Sequence, residues 1–311
     1  MSRKVVASAY GGPEVLTMVE ENLKEPGAGQ VLVSVRAIGV NQADIKSYQG
    51  VFGTDPSALP LRLGYEAAGV IDAVGPDVTN YTVSDEVILY PANGTYATDV
   101  LVGVGALTPK PAALSWEQAA GLLLTGVTAV HALTAAGVGE GDTVLIHGGA
   151  GGVGQVAVQL AVARGASVIA TAAPRDHELI ESLGGTPVEY GDGLLERVQA
   201  LATSGATAAL DLVGSEEALE VSLAVVEDRA RIATIANFGS SQGTGIKILG
   251  AGPGGDAGTE IRRAARSELA RLAGSGAVKV RISGTYPLTD VAAAHEFLAS
   301  GVGAGKVILL P

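Results

Sequence analysis

The 311-residue chain contains no cysteine. That absence removes disulfides, thiolate nucleophiles and every cysteine-ligated zinc or iron–sulfur site. Positive charge is scarce as well: 20 Lys and Arg stand against 32 Asp and Glu, a formal net charge of −12. A surface shaped for nucleic acid phosphates is not expected from that balance. Long apolar runs are missing. The N-terminal run Val5-Val6-Ala7 is soon followed by Gly11, Gly12 and Pro13 and is too short for a signal-peptide core. The stretch 119–139 is weakly charged but is broken by glycines, His131, Thr125 and Thr128, so no membrane span is expected. These features point to a cytoplasmic protein without a membrane partner.

What the chain has in quantity is glycine, 44 residues, roughly twice ordinary usage. With 47% hydrophobic residues, it reads as globular and turn-rich, and its length suggests about two domains. The first part reads mainly as strands: 31–38, 68–74 and 86–90, separated by Gly75-Pro76-Asp77 and Pro91-Ala92-Asn93-Gly94. Near Ser115 the texture changes to alternating helices and strands. Expected are a helix over 116–136, strand 143–147, helix 153–164, strand 167–171, helix 175–183, helix 194–202, strand 208–213, helix 216–226 and strand 231–236. That rhythm predicts a parallel sheet covered by helices on both faces. The tail returns to strand 278–282, a short helix 290–299 and strand 306–310. An α/β domain inserted in a β domain that the tail completes explains the order, with boundaries at 1–115 plus 277–311 and at 116–276.

Gly149-Ala150-Gly151-Gly152-Val153-Gly154 matches G-x-G-x-x-G. The pattern alone is weak in so glycine-rich a chain, but strand 143–147 runs into it and an alanine-rich amphipathic helix leaves it. In that context the glycines permit a tight turn and close approach of the backbone to a pyrophosphate at the helix N-terminus. No Gly-Lys-Ser/Thr follows, so a nucleoside-triphosphate loop is rejected. A site for NAD places an acid at the end of the second strand to hold the ribose 2′-hydroxyl. Here that strand ends Thr171-Ala172-Ala173-Pro174-Arg175, with Asp176 only beyond the arginine. A guanidinium pairs with a 2′-phosphate, whereas a carboxylate repels it. Thr171, Arg175 and Tyr190, the last against the adenine or its phosphate, are therefore candidates for binding NADPH. The alternative reading of Arg175 is a solvated residue at a helix start.

Several further segments carry a family resemblance. They are Gly11-Gly12-Pro13-Glu14-Val15-Leu16, Gly39-Val40-Asn41-Gln42-Ala43-Asp44, Gly64-Tyr65-Glu66-Ala67-Ala68-Gly69, Leu124-Thr125-Gly126-Val127-Thr128-Ala129, Ala150-Gly151-Gly152-Val153-Gly154 and Gly305-Lys306-Val307-Ile308-Leu309. Spanning nearly the whole chain in order, they resemble the zinc-independent quinone oxidoreductase, zeta-crystallin-like branch of the medium-chain dehydrogenase/reductase superfamily. The resemblance implies a Rossmann domain, a doubly wound parallel sheet, inserted in a β-rich GroES-like substrate domain. Zinc-dependent relatives ligate the metal at positions that correspond here to Asn41, Tyr65 and Leu124, none of which keeps its ligand. The histidines, His131, His147, His177 and His295, show no ligand spacing. No metal is therefore expected.

Without a Lewis acid, oxidising an unactivated alcohol is difficult, whereas a quinone or an α,β-unsaturated carbonyl is already electrophilic. The resemblance thus implies an NADPH-dependent reductase acting by hydride transfer. It places Asn41 at the junction of substrate and nicotinamide, and Tyr48 and Tyr65 around the pocket. Thr128 falls near the nicotinamide ring, as does the loop Asn237-Phe238-Gly239-Ser240. Alternative local readings are a helix cap for Asn41 and a core position for Phe238, with Asp44 supporting the first turn of that helix. The function has two rivals: a zinc-free alcohol dehydrogenase or ketone reductase, and a non-enzymatic crystallin-like or RNA-binding protein. The small stripe Arg262-Arg263-Ala264-Ala265-Arg266 has acids nearby (Glu260, Glu268) and reads as a solvated helix face. The glycine-rich segment 246–259 could be a lid that orders on binding or could leave a more open site. A homodimer is expected by family analogy alone.

Overall fold

The computed structural model describes residues 1–252 and 254–311. They form two compact units, residues 1–124 with 266–311, and residues 125–265.

In the first unit, a seven-stranded sheet orders Ile282–Pro287, Lys306–Leu310, Gln30–Val40, Glu66–Val74, Glu86–Leu89 and Leu107–Pro109, and Asp99–Gly103 also pairs with Gln30–Val40. Every pairing is antiparallel except Ile282–Pro287 with Lys306–Leu310, whose crossover is the helix Val291–Ala299. A smaller sheet pairs Ser2–Ala7 with Leu16–Glu21 and with Leu61–Arg62. Gln30–Val40 alternates buried with half-buried or exposed positions as far as Arg36, so that part keeps one face for the core, and is buried on both faces over 37–40. Val33, Ile38, Tyr48, Leu63, Ile71, Tyr96 and Leu309 are among the buried residues of that core. The expected tail strand 278–282 is displaced: pairing begins at Ile282 opposite Lys306. Val278 and Val280 are buried without joining the ladder, so their apolar character reports burial rather than strand pairing.

The second unit holds a six-stranded, fully parallel sheet, in the order Thr186–Val188, Ser167–Thr171, Thr143–His147, Ala208–Asp211, Ile232–Thr234, Lys247–Ile248. Numbered along the chain this is 3-2-1-4-5-6, the doubly wound Rossmann order. It reverses direction between Thr143–His147 and Ala208–Asp211, where ligands enter such sheets. The inner strands are near-continuous apolar runs because helices cover both faces.

Two further expectations are corrected. The helix expected over 116–136 is two helices, Trp116–Ala120 and Leu123–Ala135, interrupted after the first at Gly121. Ser115 and Gln118 cap the first reciprocally: Gln118 N–H donates to Ser115 Oγ at 3.2 Å and Ser115 N–H to Gln118 Oε1 at 3.1 Å. The helix expected at Arg175 opens as a 3-10 turn, Pro174–Asp176, closed by the His177 N–H on the Pro174 carbonyl, and becomes α-helical over His177–Ser182. Among the described residues no helix is long and apolar enough to cross a membrane.

Candidate active site

The strand Thr143–His147 delivers the chain to the glycine-rich turn at the carboxyl edge of the parallel sheet. Thr171, at the end of the neighbouring strand, holds that turn: Gly148 N–H donates to its Oγ1 and Gly149 N–H to its carbonyl, each at 2.9 Å. The glycines do different work. A Cβ on Gly154 would stand 2.1 Å from the Gly148 carbonyl oxygen, and one on Gly149 would stand 2.7 Å from the Ala170 methyl. Only glycine lets helix, turn and strand close to that distance. Gly151 is exposed and has room beside it. The helix Gly152–Ala163 starts inside the motif, so the opening N–H groups, those of Gly152, Val153 and Gly154, have no intrahelical acceptor and carry the positive end of the dipole. Gln155, buried in the same turn, fixes the Ala150 carbonyl with a 2.7 Å hydrogen bond. This cradle fits a pyrophosphate.

Past the ends of the second and third strands lie Arg175, its side chain 55% exposed, and Tyr190, 53% exposed. Asp176 is only 3.6 Å from Arg175 and has a mostly buried side chain, so the guanidinium is the outward-facing charge of the pair. In the loop after Ile232–Thr234, Asn237 is buried, and its Nδ2 has no partner among the described residues. Its Oδ1 accepts from Ser240 N–H at 3.1 Å. An orphaned buried amide donor is costly unless a ligand meets it, which fits a carboxamide-bearing cofactor. Phe238 packs so closely on Gly252 that a Cβ there would stand 2.4 Å from its ring, whereas Gly239 is open. The local packing of Phe238 on Gly252 is therefore plain.

Thr128 is buried on the helix Leu123–Ala135, and its hydroxyl accepts from Arg262 Nη1 at 3.3 Å. Arg262 Nε also donates to His131 Nδ1 at 3.3 Å, which leaves the imidazole proton on Nε2, facing Asp256 at 3.2 Å. Burial holds the His131 pKa down, opposed by Asp256. The basic stripe is thus not simply a solvated face. Arg262 serves Thr128 and His131, and Arg266 donates to the carbonyls of Tyr90 and Gly105 at 2.6 and 2.8 Å. Arg263 alone of the three makes an exposed i,i+3 pair, with Glu260. In the glycine-rich segment, Gly258 lies flat against His131, where a Cβ would meet the ring at 2.3 Å. Pro253 falls outside the described residues.

In the other unit, Asn41 ends the longest strand and starts the helix Gln42–Tyr48, with its N–H donating to Asp44 Oδ2 at 2.8 Å. Its side chain sits in a buried charge cluster. Lys306 Nζ spends its three protons on Asn41 Oδ1 (2.6 Å), Glu66 Oε1 (2.9 Å) and the Val40 carbonyl (2.9 Å). Asn41 Nδ2 donates to Glu66 Oε1 at 3.1 Å and to the Gly39 carbonyl at 3.3 Å. Glu66 Oε2 accepts from Leu124 N–H at 2.8 Å. The orientation of the amide is therefore fixed, and only the long bond to Gly39 is cheap to exchange for a ligand. Glu66 and Lys306 did not stand out as site residues in the sequence. The available signal was a charge within an otherwise apolar strand in each case.

Tyr65 has its hydroxyl 2.7 Å from Ser47 Oγ, and Ser47 donates to the Ala43 carbonyl at 2.8 Å. Ser47 has one proton, so the phenol is the donor in their contact. Burial pushes the Tyr65 hydroxyl pKa up, partly offset by Ser47. Tyr48 lies in the hydrophobic core, fully buried, stacked on His295 and bonded to its Nδ1 at 3.0 Å. Tyr96 holds Nε2 of the same ring at 2.9 Å. Burial raises the Tyr48 pKa to about 12, lowers that of His295 to about 4 and raises that of Asp44 to about 7, the last against hydrogen bonds from Asn41, Tyr96 and Gly64. Asn41, Tyr65 and Leu124 offer an amide, a phenol and an aliphatic side chain, a donor set unlike that of a zinc site.

Known proteins share both halves. Residues 27–113 match the alcohol dehydrogenase GroES-like domain, and residues 186–309 match the zinc-binding dehydrogenase domain. The chain is 32% identical to the quinone oxidoreductase of Pseudomonas aeruginosa, with all of both chains covered. The crystal structure of the Escherichia coli quinone oxidoreductase complexed with NADPH aligns with a TM-score of 0.88 at 30% identity, covering 99% of this chain and 100% of that one. A structure described as an NAD-dependent alcohol dehydrogenase aligns with a TM-score of 0.85 at 29% identity, covering 99% of both chains.

Proposed function

The chain belongs to the quinone oxidoreductase family of the medium-chain dehydrogenase/reductase superfamily, and from that footing we propose that it is an NADPH-dependent, zinc-independent reductase of quinones or α,β-unsaturated carbonyls. The observation that carries the reading is the turn 149–154, a pyrophosphate cradle at the switch point of a parallel sheet, followed by a second strand with an outward arginine and no acid at its end. Residues 116–276 would hold the cofactor, and residues 1–115 with 277–311 the acceptor.

NADPH, when bound, supplies the hydride. The chain's own contribution is position and charge. Gly152, Val153 and Gly154 offer backbone N–H groups and a helix N-terminus to the pyrophosphate, Gly149, Ala150 and Gly151 shape the turn that brings the backbone close to it, and Thr171 braces that turn. Arg175 pairs with the 2′-phosphate, and Tyr190 lies against the adenine. Thr128 and the loop Asn237-Phe238-Gly239 take the nicotinamide end, with the orphan Asn237 amide as a donor. A quinone or enone is already electrophilic, so no base strong enough to form an alkoxide is required. Negative charge growing on its oxygen calls for hydrogen-bond donors and a nearby cation. Asn41, by releasing its 3.3 Å bond to Gly39, can supply a donor backed by the Lys306 ammonium. Tyr65 lines the acceptor side, and Tyr48 acts from the core by holding the helix that Asn41 begins.

A second reading, reduction of a ketone or oxidation of an alcohol with NAD, is favoured by the neighbour described as an NAD-dependent alcohol dehydrogenase. One assay separates the two: loss of reduced-nicotinamide absorbance with NADPH and NADH, each with a small quinone, an enone and a ketone, with and without chelator. Chelator-insensitive turnover of quinone or enone with an NADPH preference is expected. Arg175→Ala should cut the NADPH-to-NADH ratio of kcat/KM about tenfold, the size of one lost charge-assisted contact. Preference for ketone and NADH would overturn the reading. A homodimer and a cytoplasmic location rest on analogy with the family and are tested by sedimentation and by fractionation.

A further inference from the structure

A cavity of about 480 Å³ opens within the unit formed by residues 1–124 and 266–311, and the mechanism above uses only one of its walls. Its size is ordinary for a small-molecule site, roughly 300–1,000 Å³. The rings of Tyr10, Phe52 and Tyr65 line it together with Leu61, while Arg62 and Asn93 supply its polar side. Both phenol protons are committed elsewhere. Tyr10 donates to the Asp55 carbonyl at 3.0 Å and Tyr65 to Ser47. The tyrosines therefore offer the cavity apolar surface and oxygen lone pairs rather than acidic protons. Phe52 is 41% exposed, although such a ring gains by burial, as expected for a surface that a ligand covers.

The charge in this cavity is unbalanced. Among the described residues Arg62 is the sole charged one of its lining, and its side chain is 60% exposed. Among the described residues its one ion pair, with Glu21 Oε1, is long at 3.5 Å, and the other oxygen of Glu21 is held by Lys4 at 2.6 Å. Two cations thus share one carboxylate, so a guanidinium edge is available for bidentate contact with an anion.

We infer that this cavity receives the part of the acceptor remote from its reacting carbonyl, and that it selects an aromatic ring bearing an anionic substituent, read by Arg62. This rests on the reading of the chain as a quinone or enone reductase and deepens it to a substrate class. The aromatic and apolar walls suit the ring, whereas a neutral acceptor would leave the guanidinium with only its long contact to Glu21. Arg62 is here a specificity residue and touches no reacting atom.

The test compares a naphthoquinone with its ring-sulfonated analogue in NADPH-dependent turnover by the wild-type protein, Arg62→Ala, Arg62→Lys and Arg62→Glu. The ratio of kcat/KM for the sulfonated over the neutral quinone should fall about tenfold in Arg62→Ala, chiefly through KM. It should fall further in Arg62→Glu and stay partly preserved in Arg62→Lys. In parallel, naphthalene sulfonate, which cannot be reduced, is titrated calorimetrically into each protein at low and high salt. Salt-sensitive binding to the wild type that is lost in Arg62→Glu supports the inference. An unchanged ratio, or equal binding of the sulfonate by Arg62→Glu, overturns it. If the wild type reduces neither quinone, the reductase reading fails and the titration alone decides the inference.

Discussion

At the scale of single residues, the acceptor half turns on Lys306. An ammonium and a carboxylate buried together gain little over an apolar pair, but either left alone is costly. Lys306→Met leaves Glu66 buried without its cation, with Asn41 Oδ1 and the Val40 carbonyl each short of a donor. It should lower stability by about 3–5 kcal/mol in urea unfolding, with much of the loss recovered in the Lys306→Met/Glu66→Gln double variant. Because the same ammonium sets the Asn41 amide, kcat should remain low in the double variant even after stability returns. Recovery of kcat together with stability would reduce the cluster to a packing device. Glu66 and Lys306 lie within motifs that carried the family resemblance, yet their partnership was illegible there. The two residues are 240 positions apart, and no periodicity connects them.

At the scale of elements, the turn between Thr143–His147 and Gly152–Ala163 is governed by distances that differ among its glycines. A methyl on Gly154 must displace the Gly148 carbonyl, so Gly154→Ala should weaken NADPH binding by about tenfold or more, since small misplacements of a binding element are expensive. Gly151→Ala, whose Cβ meets nothing of the protein closer than the Gly148 carbonyl oxygen at 3.4 Å, should keep the ligand-free melting temperature near wild type yet weaken NADPH binding, because its methyl stands where the backbone approaches the pyrophosphate, whereas Gly154→Ala should lower both. Thermal shifts of both variants with and without NADPH measure the contrast, and equal behaviour would contradict it. The strand, turn and helix here were legible because each follows a local rule: a β-branched run, a glycine pattern and an alanine-rich amphipathic stretch. The break at Gly121 and the displaced tail strand were not, because apolar residues persist across both and only pairing or capping separates the elements.

For the molecule as a whole, acid should be the weak side. His147 and His295 are buried and their pKa values are lowered from 6.5 to about 4, chiefly by burial. In the unfolded chain they take up protons near pH 6.5. The stability that their neutral forms provide is therefore complete above that pH and is lost as pH falls through about 4, up to about 3 kcal/mol for each. Asp44 runs the other way. With its pKa raised from 3.8 to about 7, its burial costs stability as pH rises through 7 and is relieved below 3.8. It thus offsets about one of the two histidines on acidification. Unfolding free energy should decline between pH 6.5 and 4, and His295→Gln, which keeps one donor and one acceptor for Tyr48 and Tyr96, should flatten the decline. A curve unchanged by that substitution would show that His295 is not the titrating group.

The reaction class and the strand–turn–helix unit around 149–154 were readable along the chain. The absence of cysteine removes any cysteine-ligated zinc centre, and the glycine turn and the missing acid after Thr171 are short-range patterns readable from neighbouring residues. Folding alone sets the surroundings of Asn41, Tyr48 and Tyr65. It brings Lys306 from the C-terminal strand onto Asn41, places His295 between Tyr48 and Tyr96, and sets Arg62 on the wall of a cavity with Tyr10 and Phe52. Such contacts join positions tens to hundreds of residues apart, and they exist only once the strands have paired. The order of residues along the chain therefore carries no local trace of them.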